Sequence, residues 1–202
     1  RTAGEDKDNV LEQGSYYLTD QEKNLLNRVA ESFENIIIVF NVGNVIDMSY
    51  IETFGDKIKS IVYAWHGGQE GGNALAKVLS GNVSPSGKLS DTIARNVSDY
   101  PSNKNFGHEL MNVYEEDIYV GYRYFETFNR DAVLYPFGFG LSYTKYTYST
   151  PKLSSTTFKE NEVVTVTLEV TNSGKIDGEE IVQLYIRDKV SSATRPVKEL
   201  KG

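Results

Sequence analysis

Three segments of this sequence contain residue types and spacings that could do chemistry. Glu5 ends the short segment Arg1–Glu5, three consecutive acids occupy 115–117, and four glycines lie in the loop His66–Gly72. Carboxylates can donate and accept protons or bind calcium. Glycines between a strand and a helix can free backbone N–H groups that bind phosphate. Each segment therefore has a functional interpretation that must be weighed against a structural one.

The glycine loop is a weak candidate for phosphate binding. Its spacing matches neither G-x-G-x-x-G nor a P-loop, and no Lys-Ser/Thr pair follows it. Glu70 also places a negative charge where the next helix should begin. We favour a tight structural turn, and we keep nucleotide binding as the alternative.

The other candidates have local interpretations that we favour. For Glu115, Glu116 and Asp117 we expect caps and salt bridges that hold the aromatic stretch after them. His66 and His108 lie in polar loops and are expected to be surface or structural residues rather than substrate contacts. For one further set we favour interdomain packing over stacking on sugar rings: Tyr119, Tyr122, Tyr124, Phe125, Phe137 and Phe139.

Composition excludes several classes of protein. The 28 acidic and 21 basic residues give a net charge of −7, which disfavours nucleic acid and anionic membrane partners. The absence of cysteine excludes disulfides and thiolate metal sites, and two histidines are too few for a histidine-built zinc site. No apolar run extends beyond the length of Ile36–Phe40, far below the ~20 residues of a membrane-spanning helix. We expect no metal and no cofactor.

The first part of the chain alternates helix and strand signals. Thr19 and Glu22 form a capping-box pattern before a helix over about 20–34, whose apolar face is Leu25, Leu26, Val29, Ala30 and Phe33. The β-branched run Ile36–Phe40 predicts a strand buried on both faces, and 58–65 predicts a second. A helix closed by Gly81 follows the glycine loop. This order predicts an α/β fold with a mostly parallel sheet sandwiched by helices, whose active groups lie at the carboxyl ends of the strands.

The later part of the chain changes character. Residues 113–128 are aromatic and predict extended structure, and Pro151 begins a linker. Alternating residues at 163–170 and 180–186, separated by a turn at 172–174, predict an antiparallel β-sandwich. We therefore place one domain at 1–148 and a second at 152–202. About fifty residues follow Pro151, whereas a seven-strand sandwich needs ~100, so we expect the second domain to be truncated.

Five segments, in this order, resemble glycoside hydrolase family 3, which includes β-glucosidases. They are Arg1–Glu5, Ala64–Gly71, Ser84–Leu89, Tyr114–Phe125 and Tyr135–Tyr143. The segments at 172–175 and 180–186 further resemble the start of the fibronectin type III-like domain that follows in many members. The resemblance implies the C-terminal α/β sandwich domain of the family, and we expect the strand before Arg1 to be missing.

The resemblance also implies a role for each candidate residue. In the family a (β/α)8 barrel carries the aspartate nucleophile, and the α/β domain supplies the acid/base glutamate, which corresponds here to Glu5. Retaining glycosidases need both carboxyl groups, ~5–5.5 Å apart. This chain contains no credible nucleophile, so we expect it to be inactive alone and to need the barrel in cis or in trans. The implied substrate is a β-linked gluco-oligosaccharide or an aryl β-glucoside. With such a substrate, we expect the turn formed by the glycine loop to border the sugar site through Trp65 and Gln69.

Several alternatives stay open at the level of sequence. A β-xylosidase or β-N-acetylglucosaminidase of the same family would share these segments, whereas a non-catalytic carbohydrate-binding or scaffold module would share only the fold. A flavodoxin-like protein would use the glycine loop for a nucleotide. Asn82 and Asn96 begin glycosylation acceptor patterns that matter only in a secreted eukaryotic protein. Extracellular, periplasmic and cytoplasmic locations are all compatible with the sequence.

Overall fold

A computed structural model describes residues 9–202, and Glu5 lies outside the described residues. The described chain contains four α-helices and ten short β-strands, joined by loops and 3₁₀ turns. In chain order they are α1 (Asp20–Ser32), β1 (Ile36–Phe40), α2 (Ser49–Glu52), β2 (Ile58–Tyr63), α3 (Gly71–Leu79), β3 (Ile93–Ala94), α4 (Tyr122–Phe128), β4 (Val133–Tyr135), β5 (Tyr146–Tyr148), β6 (Lys152–Leu153), β7 (Val166–Thr167), β8 (Val170–Asn172), β9 (Tyr185–Ile186) and β10 (Glu199–Leu200). None of the helices in 9–202 is long and apolar enough to cross a membrane.

Helix α1 begins as its sequence predicts. The Thr19 hydroxyl accepts the Glu22 N–H at 3.2 Å, while the Glu22 carboxylate accepts the Thr19 N–H at 2.8 Å. This capping box satisfies backbone donors that the first turn leaves unpaired. The buried face is narrower than predicted, because Leu25 and Phe33 are exposed and only the side of Leu26, Val29 and Ala30 packs inward.

Strands β1 and β2 pair in parallel, as the alternation of helix and strand predicts. Their register runs from Ile36 opposite Ile58 to Phe40 opposite Tyr63. The prediction that β1 is buried on both faces is wrong, since Ile37 is 53% exposed whereas Ile36, Ile38 and Phe40 are buried. The reason is the two-residue period of a strand, which turns Ile37 away from the core.

The main hydrophobic core lies on the buried face of β1. It also takes in residues just before and within α1, between β1 and α2, within α2 and in β3: Leu18, Ala30, Val42, Ile46, Met48, Ile51 and Ile93. A smaller core surrounds Phe125, which is 1% exposed and packs with Ala94 and Ala132.

Helix α4 corrects the prediction of extended structure over 113–128. Only 113–121 lack a helix, and the chain becomes helical at Tyr122. Gly121 precedes the helix with φ 58°, a conformation that favours glycine. Aromatic residues have high β propensity, but here burial of Phe125 against the smaller core outweighs it.

The described chain forms two compact units. The first comprises 9–75, Leu89–Phe139 and Gln183–Gly202, and the second comprises Ala76–Lys88 and Gly140–Val182. In the first unit β3 pairs with β4 and β9 with β10, both antiparallel. The sequence domains 1–148 and 152–202 stay a prediction.

Within the first unit, Gln183–Gly202 packs on α4. The Tyr122 hydroxyl accepts the Leu200 N–H at 2.8 Å, and the Thr127 hydroxyl accepts the Val197 N–H at 3.0 Å. Lys198 pairs with Glu126 at 2.8 Å. These bonds satisfy backbone donors that would otherwise lack a strand partner.

The second unit contains an antiparallel ladder in two pieces. β5 pairs with β8 and β6 with β7, and the register shifts by one residue between the pieces. The alternating stretch 163–170 therefore forms two short strands, not the single strand that its pattern predicts. Pro151 lies in the break, and it has no N–H to donate to a ladder.

The helix stop at Gly81 is confirmed. The Gly81 N–H donates to the Val78 carbonyl at 3.0 Å and the Asn82 N–H donates to the Lys77 carbonyl at 2.9 Å. Gly81 has φ 77°. This pair of bonds is a Schellman motif, which ends a helix through one residue in the left-handed conformation.

Candidate active site

The candidate site is the edge of the first unit at which β1 and β2 both end. Because the strands are parallel, the loops 41–48 and 64–70 leave the sheet on the same side. The Ala64 N–H donates to the Phe40 carbonyl at 2.9 Å and extends the pairing one step beyond the strands. Trp65 and Gln69, the two predicted sugar-binding residues that the structure describes, both lie in the second of these loops.

Trp65 occupies an unusual backbone conformation at this edge. Its φ is 51°, a left-handed value that costs a non-glycine residue about 1–3 kcal/mol. The ring centroids of Trp65 and Tyr63 are 4.4 Å apart, and the indole is half-buried. Such strain persists only where surrounding contacts fix the residue, and it clusters at functional positions.

The glycine loop is a tight turn. A Cβ at Gly67 would lie 2.7 Å from the Gly71 Cα, and Gly68 has φ 63°. Glu70 lies at the start of α3, where its carbonyl accepts the Ala74 N–H at 2.9 Å and its carboxylate accepts from the Asn73 amide at 2.6 Å. A carboxylate at this helix end repels phosphate, so the geometry favours the structural interpretation. Gln69 is exposed at the tip of the loop.

Sequence reasoning did not identify the polar contacts that Asn9 makes. Asn9, four residues after Glu5 in the sequence, donates from Nδ2 to the Val45 carbonyl at 2.8 Å. Its Oδ1 accepts from the Ser15 hydroxyl at 2.9 Å, and that hydroxyl accepts the Val10 N–H at 3.0 Å. We call Asn9, Ser15 and the Val45 carbonyl the Asn9 clasp. No short-range signal could reveal it, because 36 residues separate Asn9 from Val45.

The loop after β1 is held at two more points beside the clasp. The Tyr63 hydroxyl donates to the Asn44 carbonyl at 2.6 Å, and the Asp47 N–H donates to the Tyr16 carbonyl at 2.9 Å. Burial, with a smaller contribution from neighbouring groups including Asp47, raises the pKa of the Tyr16 phenol. The segment 9–17 and β2 therefore both bind the backbone at 44–47.

The remaining sequence candidates lie elsewhere and have local contacts. Residues 115–117 form a turn in which the Tyr119 N–H donates to the Glu116 carbonyl at 2.7 Å. His108 Nδ1 accepts the N–H groups of Leu110 and Met111, each at 3.3 Å, and His66 is exposed. Within 9–202 no three histidine or acidic side chains are arranged to hold a metal ion.

The aromatic series largely packs on itself within the first unit. The rings of Tyr122 and Phe137 stack at 5.0 Å, those of Tyr119 and Phe128 lie 4.7 Å apart, and Tyr124 contacts Phe125 at 5.3 Å. These contacts use ring faces and edges that a sugar would otherwise need. The predicted interdomain role of this series stays a prediction.

A unit with α-helices and two parallel strands agrees with the coarse fold class predicted above for family 3. Comparison with known proteins confirms the family. Residues 1–143 match the glycosyl hydrolase family 3 C-terminal domain, and residues 180–202 match a fibronectin type III-like domain. The chain belongs to glycosyl hydrolase family 3.

Two curated relatives are β-glucosidases. The chain is 48% identical over 186 residues to a β-glucosidase of Ruminococcus albus, covering 92% of this chain and 19% of that protein. It is 44% identical to the thermostable β-glucosidase B of Acetivibrio thermocellus, covering 92% of this chain and 24% of the relative. The chain thus spans about a fifth to a quarter of the length of these relatives.

Solved structures give the same family. A β-glucosidase from Paenibacillus barengoltzii matches with a TM-score of 0.92 and 48% identity, covering 98% of this chain and 22% of that chain. β-Glucosidase 3B from Thermotoga neapolitana, in complex with glucose, matches with a TM-score of 0.89 and 36% identity, covering all of this chain and 28% of the other.

Proposed function

We propose that this chain is the acid/base-bearing part of a retaining exo-acting β-glucosidase that hydrolyses terminal non-reducing β-D-glucosyl residues. Its substrates are β-linked gluco-oligosaccharides and aryl β-glucosides. The observation that carries the proposal is the identity of 44–48% to β-glucosidases over 92% of the chain. The glucose complex of the Thermotoga neapolitana relative supports glucose as the sugar, ahead of xylose or N-acetylglucosamine.

Glu5 is the proposed general acid and base. In a retaining mechanism one carboxylate attacks the anomeric carbon while another carboxyl group protonates the leaving oxygen, and the second group then activates water. Glu5 lies in the segment that matches the family, and the residue four positions later is bound to the loop after β1.

The nucleophile belongs to the proposed partner of this chain. We propose that a (β/α)8 barrel domain, in cis or in trans, supplies it. This domain would correspond to part of the relatives' sequence that the chain does not span. Trp65 and Gln69 then border the glucosyl pocket from the α/β side. The Trp65 indole, which packs against Tyr63, could stack on a sugar ring. An aromatic face that is already fixed binds C–H groups with little loss of conformational entropy.

The finer architecture is part of the same proposal. The domain at 1–148 completes a mostly parallel sheet covered by helices on both faces, and 152–202 belongs to a fibronectin-like sandwich. The parallel pair β1–β2 and the exposed Ile37 side chain on its second face support the first statement. The antiparallel pairing of β7 with β6 and of β8 with β5 supports the second.

The test replaces Glu5 in the parent polypeptide that carries the barrel. In Glu5→Gln we expect kcat/KM for cellobiose to fall by about 10²–10⁴-fold. The value for 2,4-dinitrophenyl β-glucoside should change little, because that leaving group departs without a proton. Azide should restore turnover of the activated substrate by Glu5→Ala and yield β-glucosyl azide. Glu12→Gln, at an exposed carboxylate nearby in sequence, is the matched control. Full cellobiose hydrolysis by Glu5→Gln would refute the assignment.

A further inference from the structure

We propose that residues 106–120, which we call the 106–120 segment, form a docking surface for the barrel domain of the parent polypeptide. The proposal rests on the proposed function, which assigns the attacking carboxylate to that domain, and it adds where this chain meets the domain. The contacts that support it all lie within the described residues of the first unit.

The 106–120 segment exposes a large amount of apolar surface. It lies between β3 and α4 and contains no helix or strand. Phe106 is 66% exposed, Leu110 91% and Tyr114 82%. Four more apolar side chains of the segment are exposed as well: Met111, Val113, Ile118 and Val120. Single apolar residues on a surface are ordinary, whereas seven of them within fifteen consecutive residues are typical of an interaction site.

Local hydrogen bonds give the segment a defined shape. The Asn105 side chain donates from Nδ2 to the Val113 carbonyl at 2.6 Å, which closes the first half of the segment into a loop. The His108 N–H donates to Asn112 Oδ1 at 3.2 Å within that loop. A surface whose turns are already formed loses little conformational entropy when a partner binds. The apolar side chains are therefore presented by a preformed loop.

Helix α4 extends this surface on one side only. The Tyr119 ring lies 4.7 Å from the ring of Phe128, whose side chain is exposed at the end of α4. Tyr122 and Glu126, one turn apart on another face of the helix, are bound by Gln183–Gly202. The C-terminal stretch of the chain thus covers that face and leaves Phe128 and the 106–120 segment available to a different part of the parent polypeptide.

The charge of the segment indicates the chemistry of its partner. The segment contains four acidic residues and no lysine or arginine: Glu109, Glu115, Glu116 and Asp117. The salt bridges predicted for the acids at 115–117 do not form within residues 9–202, and Glu109 has no ion pair there either. Interfaces pair opposite charges beside their apolar contacts. We therefore expect an apolar partner surface that carries lysine or arginine.

Two observations favour the barrel domain over other occupants. The chain spans about a fifth to a quarter of the β-glucosidases that it matches, so a larger part of the parent polypeptide is available to cover the segment. In a symmetric contact with a second copy of the chain, the same patch would face itself, and four acids would oppose four acids. A separate domain with basic residues avoids this repulsion.

The first experiment identifies the occupant by photo-crosslinking in the parent polypeptide that carries the barrel. A p-benzoylphenylalanine in place of Tyr114 puts the reactive group on the segment, and one in place of Val163, which is 88% exposed in the second unit, is the matched control. Mass spectrometry should find barrel peptides linked to position 114 and none linked to position 163.

The second experiment uses the two methionines of the chain as reporters. Hydrogen peroxide oxidises a methionine according to its exposure, so Met48, which is 3% exposed, is the buried reference for Met111, which is 65% exposed in this structure. We expect Met111 to be oxidised about tenfold more slowly in the folded parent than in the parent unfolded by urea. In Glu31→Met, at an exposed position of α1, the introduced methionine should differ by less than about 2-fold.

Three results would overturn the proposal. They are links from position 114 only to another copy of the parent, links only to sequence after Gly202, and oxidation of Met111 in the folded parent as fast as in the unfolded parent. Both readouts are independent of turnover. If Glu5→Gln hydrolyses cellobiose normally while Met111 is protected and position 114 is linked to the barrel, the proposed function fails and the docking surface stands. If Glu5→Gln is impaired as expected and Met111 is unprotected, only the docking surface fails.

Discussion

The parallel strand pair of the first unit and the antiparallel ladder of the second unit are built by different means. In the first unit, alternate residues of β1 enter a core whose members are less than a tenth exposed. In the second unit the paired strands are two or three residues long, and neighbouring apolar side chains such as Phe158 and Val163 are 68% and 88% exposed. Burial therefore positions the candidate site, whereas backbone pairing and polar contacts hold the ladder.

Polar contacts in the second unit support this contrast. Lys88 pairs with Glu180 at 3.1 Å and donates to the Gly140 carbonyl at 3.0 Å, with the two side chains 12% and 13% exposed. The Thr144 hydroxyl donates to Asn172 Oδ1 at 2.6 Å. Because this ion pair is largely shielded from water, removal of either partner would leave an uncompensated charge in the same surroundings. Such a charge lowers the stability of the folded state.

The largest expected effect concerns the smaller core of the first unit. Phe125→Ala should lower the free energy of unfolding by about 3–5 kcal/mol, because it removes a fully buried ring and leaves a cavity. Phe158→Ala, at a ring that is 68% exposed in the second unit, should cost less than about 0.5 kcal/mol. Urea denaturation of both variants measures the difference. Equal losses would contradict the contrast between the units.

The second effect tests the ion pair of the second unit. Lys88→Met should cost about 3 kcal/mol, since it leaves Glu180 with an uncompensated charge. Arg130→Met removes a side chain that is 63% exposed and leaves its partner Glu126 paired with Lys198, so it should cost less than about 1 kcal/mol. Adding Glu180→Leu to Lys88→Met should recover part of the loss in the same denaturation assay. A double variant as unstable as Lys88→Met would argue against an electrostatic role.

A pH effect should arise in the first unit. Burial raises the pKa of the Tyr16 and Tyr100 phenols above 10, so folding favours their neutral forms. Their stabilising contribution is complete below the unfolded pKa near 10 and is lost as pH rises toward the folded values, by at most about 1.4 kcal/mol per pH unit for each group. Tyr16→Phe should flatten this alkaline loss in denaturation curves. Tyr114→Phe, at a ring 82% exposed, should leave it unchanged.

The smallest effect concerns the start of α1. Thr19→Ala should cost about 1 kcal/mol, because it removes the cap of the Glu22 N–H. Glu22→Gln should cost only a few tenths of a kcal/mol, since glutamine also completes a capping box. Thermal denaturation, monitored by circular dichroism, should give a lower melting temperature for Thr19→Ala than for Glu22→Gln. Identical melting temperatures would mean that the box adds nothing beyond packing of the helix.

Local signals predicted the elements correctly where the controlling contacts are local. The capping box at Thr19, the β-branched run of β1 and the stop at Gly81 each depend on residues within a few positions. The Asn9 clasp depends on a carbonyl 36 residues away, so the sequence could not reveal it. The family resemblance, not periodicity, indicated Glu5, Trp65 and Gln69 as site residues.

The errors have a common physical origin. Propensity favours strand for the aromatic run before Phe128, but burial of Phe125 and the conformation of Gly121 produce α4. Hydrophobicity alone suggested two buried faces for β1, yet Ile37 is exposed because burial depends on what packs against each face. The alternating stretch 163–170 changes partner midway, which no local pattern encodes.

The central proposal is that this polypeptide donates the proton and that a barrel domain supplies the attacking carboxylate. Release of p-nitrophenol from p-nitrophenyl β-glucoside by the purified 202-residue chain tests it most directly. The account predicts no turnover by the chain alone and turnover by the parent polypeptide in the same assay. Steady turnover by the isolated chain that survives Glu5→Gln would contradict it.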